Sequence, residues 1–307
     1  MKSDLGADHD GAAMTSMGCN PPVSFITTCF NGGDVIEQAV RSMEAVDWPA
    51  KQIVLLNDGS TDRTAEICRA LAADNPDITF LDRPRLGRGR ALNEALAAAC
   101  GTYIAINDAD DVSLPHRLVA TVPYLEDNPE LGLLATDVHF VPHTEWAERL
   151  TALPDDTTTG RTLRWIEPVE IYGENFIAAS SIVFRHDVAC RVGGFNERIS
   201  CSIDYDFYFR VMTCARMAFL DFPTVAHRSG FAYPTFFRSL PANIRRRDTL
   251  SVLAFARQHF DIPLKKRIVS GGRTLIDTYK LGLRQGFPRA FAWYQAVKSL
   301  RRSLPQA

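Results

Sequence analysis

Three carboxylates crowd into four residues at Asn107-Asp108-Ala109-Asp110-Asp111, directly after the apolar run Tyr103-Ile104-Ala105-Ile106. Such a run reads as a buried strand, so the acids fall at its carboxyl end, where open α/β sheets bind ligands. Asp108 and Asp110 are separated by one small residue and can aim oxygens at one point, where a hard divalent cation relieves their repulsion. The pair reads as a metal seat. A plain polar turn with an Asp capping the next helix accounts for most isolated Asp-x-Asp pairs, so the reading depends on the other polar clusters of the chain.

A further acid, Asp58, follows the apolar stretch Ile53-Val54-Leu55-Leu56 within Asn57-Asp58-Gly59-Ser60-Thr61-Asp62. Gly59 and Ser60 let a ligand approach the backbone. A carboxylate there can accept the imide N–H of a uracil ring, a charge-assisted bond worth about 1.5–3 kcal/mol. The competing role is an Asx turn that caps the following helix. Thr28, at the end of the first strand, would neighbour Asp58 across the rim. Arg83, Arg85, Arg88 and Arg90, interleaved with Gly87 and Gly89, make a loop suited to a diphosphate, because guanidinium groups match phosphate oxygens bidentately. A solvated basic loop is the plainer alternative. Neither a P-loop nor a dinucleotide fingerprint is present. Further on, Asp204 stands among aromatic residues in Ile203-Asp204-Tyr205-Asp206-Phe207-Tyr208-Phe209-Arg210. Partial burial would raise its pKa towards that of a useful general base. Asp206 and Arg210, at i,i+4, have the spacing of a helix salt bridge, which gives Asp206 a structural role.

Positioning these groups requires strands that end on one rim. Residues 23–28, 53–56, 78–81 and 103–106 are short apolar or β-branched runs. Between them lie helical patterns: Val35, Ala39, Val40 and Met43, with Asp34 as cap; residues 64–73; and residues 91–99. Strands alternating with helices at this spacing predict a parallel, doubly wound α/β sheet. Residues 132–140 and 176–184 are further strand candidates, the latter leading into a turn or helix at 185–192, and residues 155–160 read as a mobile loop.

The composition, 46% hydrophobic and 23% charged, is that of a soluble globular chain. A net charge of -2 conceals a division: residues 240–307 hold 14 Lys and Arg against 3 acids, or +11, and the remainder carries -13. The basic part reads as helical, with stripes Ile268, Leu275, Tyr279, Leu283 and Phe287, Ala290, Phe291, Tyr294, Val297. It is expected to pack on the rest, pair with a second subunit, or lie on an anionic membrane face. Residues 1–20 read as a disordered leader, 21–235 as one domain and 236–307 as the helical C-terminal segment. The absence of an apolar signal run, and seven scattered cysteines without a C-x-x-C pair, give the expectation of a cytoplasmic chain with free thiols. Nucleic acid is not an expected partner.

Val23-Ser24-Phe25-Ile26-Thr27-Thr28-Cys29-Phe30-Asn31, Asn57-Asp58-Gly59-Ser60-Thr61-Asp62, Gly87-Arg88-Gly89-Arg90-Ala91-Leu92-Asn93, Asp108-Ala109-Asp110-Asp111, Gly193-Gly194-Phe195 and Asp204-Tyr205-Asp206 resemble, in order and spacing, the motifs of family-2 glycosyltransferases of the bacterial polysaccharide and cell-surface glycan type. The resemblance covers roughly residues 21–230. It implies a GT-A fold, Rossmann-like with a mostly parallel central sheet flanked by helices. It also implies inverting transfer of a hexosyl or N-acetylhexosaminyl unit from a nucleotide-sugar, usually a UDP-sugar held with Mn²⁺ or Mg²⁺, to a glycan or lipid-linked acceptor. Carried over by position, Asp204 is the catalytic base. Thr28, Asp58 and Asp108 contact the donor, joined on the reading of the basic loop by Arg85, Arg88 and Arg90, and Asp108 and Asp110, with His227 as a further candidate, hold the metal. The chain departs from the common pattern at Ile203, where a Glu usually precedes the base. Two other classes remain: a silent nucleotide- or glycan-binding domain, against which the retained base and acid pair count, and a sugar nucleotidyltransferase. The latter's Gly-rich basic loop after the first strand is replaced here by Cys29-Phe30-Asn31-Gly32-Gly33-Asp34.

Overall fold

The computed structural model describes residues 20–153, 161–229, 239–268 and 270. The leader to residue 19, the loop at 155–160 and the stripe from Phe287 onward lie outside them. The chain runs β1 (Val23–Cys29), α1 (Ile36–Glu44), β2 (Lys51–Asp58), α2 (Thr64–Asp74), β3 (Ile78–Arg83), α3 (Arg88–Ala98) and β4 (Tyr103–Ile106). There follow β5 (Val112–Ser113), α4 (Arg117–Asp127), β6 (Leu131–Pro142), α5 (Trp146–Thr151), β7 (Leu163–Ile166) and α6 (Pro168–Ile171). β8 (Val183–Arg185), α7 (His186–Arg191), α8 (Ile203–Val211), β9 (Arg216–Ser229) and α9 (Ala242–His259) complete the order.

Among the described residues the strands form one sheet, in the order β3-β2-β1-β4-β8-β6-β9-β5, with β7 on β9. The β3-β2-β1-β4 half is parallel, as βαβ crossovers require, and the long β6–β9 ladder is parallel too. β8 enters antiparallel between β4 and β6, so the sheet is mixed beyond its first half. Both faces of the parallel half are covered, which is why its strands are apolar at consecutive positions. Successive residues alternate between layers: Ile26, Leu56 and Ile106 pack with α3 and α8, whereas Phe25, Leu55 and Ala105 pack with α1, α2 and α4.

Several local expectations change. Asp34 does not cap α1, whose N-cap is Val35 without a side-chain bond. The preceding turn is closed from the neighbouring loop instead: Thr64 Oγ1 accepts from Gly32 N at 2.9 Å and Asp62 Oδ2 accepts from Gly33 N at 3.0 Å. The predicted strand at 176–184 shrinks to Val183–Arg185, because Ala179–Ser181 turns as a 3₁₀ segment with Ser180 and Ser181 buried. Of the three roles considered for the basic segment, α9 takes packing. Its buried Asp248 accepts from Ser200 N at 2.7 Å and Cys201 N at 3.2 Å, and Thr249 Oγ1 meets Ser202 Oγ at 3.1 Å, all at the entry to α8. Beyond it, Leu264 and Ile268 are 69% and 66% exposed beside Lys265 and Lys266. Among the described residues no helix is long and apolar enough to cross a membrane.

Candidate active site

The acidic loop after β4 is fixed from below by Asn107, which is fully buried. Its amide donates to the carbonyls of Asp108 at 2.9 Å and Asp111 at 3.1 Å, and Thr27 Oγ1 donates to its own carbonyl at 2.9 Å. Beneath it the buried Arg117 donates to Asn107 Oδ1 at 3.2 Å, Ser113 Oγ at 2.8 Å, Ile106 O at 2.7 Å and Ile182 O at 3.2 Å. Burial lowers this guanidinium to about 9, against the raising charges of Asp111 and Asp108. It is a cation of the scaffold, satisfied largely by carbonyl and hydroxyl oxygens.

The three acids divide by partner. Asp111 is fully buried and accepts from Ser180 Oγ, from His227 Nδ1 at 2.8 Å and from Arg228 N at 2.8 Å, tying the end of β9 to the rim. Asp108 accepts from Arg88 Nη2 at 2.5 Å. Asp110 rises to about 7, through burial first and then the charges of Asp111 and Asp108. Burial and like charge both disfavour a further anion there, and a hard divalent cation would offset them. Asp108 and Asp110 supply the hard oxygen donors that such an ion takes. Among the described residues no three His, Cys, Asp or Glu side chains converge on a metal position.

His227 stands beside the pair with its Nδ1 bonded to Asp111 at 2.8 Å, the outer contact by which a carboxylate orients a metal-ligating ring. Burial pulls its ring down, but the hydrogen bond to Asp111 and the charges of Asp111, Asp108 and Asp110 raise it from 6.5 to about 9. The protonated ring, with those acids uncompensated by a cation, serves as the counter-charge of Asp111. With the folded pKa above the unfolded one, the stability this ring adds is fully present below pH 6.5 and lost as pH rises through about 9. Urea unfolding should find His227→Gln less stable than the parent by about 1.5–3 kcal/mol at pH 6, the worth of a hydrogen bond between charged groups. The two proteins should converge near pH 10; a pH-independent difference would remove the assignment.

Asp58 lies under the loop between β3 and α3. Only 3% exposed, it accepts from Leu86 N at 2.5 Å, from Gly87 N at 3.2 Å and from Arg85 Nη1. Neither the Asx cap nor an open base pocket describes it in this state. Gly59, at φ +71°, brings its Cα side so close to Arg85 that a Cβ would stand 2.5 Å from the Arg85 nitrogen; the glycine seats this loop, and not a ligand. Thr28, half-buried, faces Leu56 in the ladder, with Cys29 opposite Asn57. Arg85 also lies 3.7 Å over the ring of Phe30, which is 45% exposed.

The four arginines do not form one anion loop. Arg83 pairs with Glu94 at 2.7 Å, Arg90 with Glu94 at 3.6 Å, Arg85 with Asp58, and Arg88 with Asp108. The helix starts at Arg88 rather than Ala91, placing Arg88 and Arg90 on α3. A glycine inside its first turn allows this: Gly89 sits so close to Asn196 O that a Cβ would approach it to 2.7 Å.

Asp204 opens α8, half-buried. Burial pushes its carboxyl up, opposed by the Arg88 charge and the Tyr205 N–H. Asn175 Nδ2 donates to its Oδ2 at 3.1 Å. Asp206 has the expected structural role, accepting from Arg210 Nε at 2.7 Å and Asn196 Nδ2 at 3.1 Å. Ile203 is 2% exposed in the core, so the position before the base is an apolar anchor here. Sequence reasoning missed Asn175, which lies in a loop with no periodic signal. It also missed the role of Asn93, whose amide clasps Phe195 N at 2.7 Å and Phe195 O at 2.9 Å, docking the Gly193–Phe195 motif on α3.

Comparison with known proteins places this geometry. A relative from Staphylococcus epidermidis, a poly-beta-1,6-N-acetyl-D-glucosamine synthase, is 32% identical over 111 residues, covering 36% of this chain and 27% of the relative. The uncharacterized glycosyltransferase YibD of Escherichia coli (strain K12) is 31% identical over 136 residues, 44% of this chain and 38% of that protein. The chain thus spans well under half the length of these relatives. In structure it resembles S. aureus TarS 1-349 in complex with UDP-GlcNAc, at TM-score 0.63, 16% identity and coverage of 89% and 75%. It also resembles the mannosyltransferase PcManGT from Pyrobaculum calidifontis in complex with GDP-Man and Mn²⁺, at TM-score 0.58, 19% identity and coverage of 94% and 77%. These likenesses share the GT-A fold. Residues 24–184 match the model of glycosyl transferase family 2, a stretch that holds Asp58, the α3 entry and the acidic loop, while Asp204 lies beyond it. Spanning more than half of the 307 residues, that match makes the chain a member of glycosyl transferase family 2.

Proposed function

We propose that this chain is an inverting glycosyltransferase that moves a sugar from a UDP-sugar to a hydroxyl of a glycan or lipid-linked acceptor. One observation carries the reading: Arg88 is bonded to Asp108 and also feels the charges of Asp204 and Asp110, so a base candidate and an acid pair lie within electrostatic reach of one guanidinium. The nucleotide-sugars in TarS and PcManGT support the donor class, and Mn²⁺ in the latter supports the cation.

Asp204, raised by burial and held by Asn175, takes the proton of the acceptor hydroxyl. The freed oxygen attacks the anomeric carbon, and the bond to the diphosphate breaks with its electron pair leaving on the nucleotide. Arg88 turns from Asp108 to the phosphate oxygens, stabilising that charge where preorganised electrostatics count most. Asp108 and Asp110 would hold the divalent cation, which when bound supplies Lewis-acid charge to the leaving group. For a uracil ring to reach Asp58, the loop of Arg85 to Gly87 must lift, leaving Phe30 as a stacking face. Arg90, whose pair with Glu94 is long and exposed, is a further guanidinium for the donor phosphates. The exposed Leu264 and Ile268 beside Lys265 and Lys266 support a place at the cytoplasmic face of an anionic membrane.

Calorimetric titration with UDP tests the donor half. Binding should require Mn²⁺ and weaken at least about tenfold in Asp108→Ala/Asp110→Ala, since charge-assisted contacts are each worth about 1.5–3 kcal/mol. Absence of binding in both proteins would overturn the UDP reading.

A further inference from the structure

Tyr208 follows Asp204 by one turn of α8, so both side chains share a face, and a long helical side chain leans back over the preceding turn. It is fully buried, and its hydroxyl has no hydrogen-bond partner among the described residues. Buried polar groups are nearly always paired, and one left alone in a native fold calls for an explanation. Its electrostatic neighbours are the groups of the proposed reaction: Asp204, Asp108 and Arg88. Burial, with the charges of the two acids, keeps the phenol protonated, so it has a hydrogen to give.

Arg88 is fastened to Asp108 at 2.5 Å and is the main cation acting on Asp204. Asp204 takes one side-chain donor, Asn175, on Oδ2, so lone pairs remain on the carboxylate. When Arg88 turns to a donor diphosphate, Asp204 loses its cation, and the unpaired hydroxyl one turn below is the donor at hand. We propose that Tyr208 is a positioning residue for Asp204: its hydroxyl is held without a partner in the free protein and donates to the Asp204 carboxylate once the donor is seated. Asn175 and Tyr208 then grip the base from two sides and leave a lone pair for the acceptor proton. The proposal rests on the donor reading above.

Tyr208→Phe removes only the oxygen, and its two effects should have opposite signs. The free variant should melt at or above the parent, because the unpaired group is gone. Its affinity for UDP with Mn²⁺ should fall about 3- to 10-fold, the worth of one hydrogen bond made only in the loaded state. In an Asp204→Ala background the same change should alter that affinity by less than about twofold, since the partner is missing. A free variant that melts lower than the parent, a parent-like affinity for UDP with Mn²⁺, or a loss that persists in the Asp204→Ala background would each overturn the proposal. If the parent itself fails to bind UDP with Mn²⁺, the donor reading falls first and takes this one with it.

Discussion

Asp204→Asn is expected to lower turnover by about 10²- to 10⁴-fold, the range that a positioned general base contributes, while UDP binds with Mn²⁺ within about threefold of the parent, a change of under ~1 kcal/mol. The substitution is nearly isosteric. The amide oxygen can still accept from Asn175, so α8 keeps its entry, yet it cannot take a proton from the acceptor. The proposed donor contacts stand on other elements: Asp58 at the end of β2, Arg88 on α3, Asp108 and Asp110 after β4. Nucleotide release from a UDP-sugar in the presence of acceptor, measured beside UDP calorimetry, separates the two effects. Parent-like turnover would dismiss Asp204 as the base, and loss of UDP affinity in step with turnover would move it into the donor site.

The second large effect concerns stability. Asp111→Ala should destabilise the protein by about 3–5 kcal/mol, the usual result of removing one partner from a buried charged pair. Its carboxylate joins two other pieces of chain to its own loop: Ser180 before β8, and β9 through the His227 ring and the Arg228 N–H. Without it a protonated imidazole loses its counter-charge and a buried N–H loses its acceptor. Asp111→Asn, able to keep part of that set as an acceptor, should fall between. Urea unfolding at pH 6 decides; a change below about 1 kcal/mol, the level of exposed pairs, would mean that water replaces the carboxylate. Metal-dependent UDP affinity should weaken too, because Asp110 shares the loop and Arg228 Nε donates to its carbonyl at 3.0 Å.

The parallel half of the sheet was legible because each of its strands is buried on both sides and bounded by turn residues, a pattern that leaves few alternatives. The placement of Asp58 and Asp108 at strand ends was legible for a related reason, each following a strong apolar run, whereas Asp204 was singled out by the family resemblance. Less could be read where partners come from distant segments. Asp111 looks like its neighbours in sequence, and only the return of β9 at His227 and Arg228 marks it as scaffold. The arginines between β3 and α3 looked like one basic loop because spacing does not reveal that Arg88 begins a helix or that Asp58, Asp108 and Glu94 take up the charges. Asn175 and Tyr208 carried no signal at all, one in an irregular loop and the other within an apolar stripe that ordinarily means core.

The abrupt change of charge near residue 240 invites a cut there when tails are exchanged between relatives. Asp248 and Thr249 argue for a different joint. They reach back to the backbone of Ser200 and Cys201 and to the Ser202 hydroxyl, just ahead of Asp204. Ser202 itself stands at φ +55°, a conformation few non-glycine residues hold without support. A graft made at the charge boundary would therefore import a stranger's helix into the mounting of the base. One made beyond Ser270 keeps Phe260, Ile262 and Ser270, which also pack on the domain, and leaves Asp204 with its own brace.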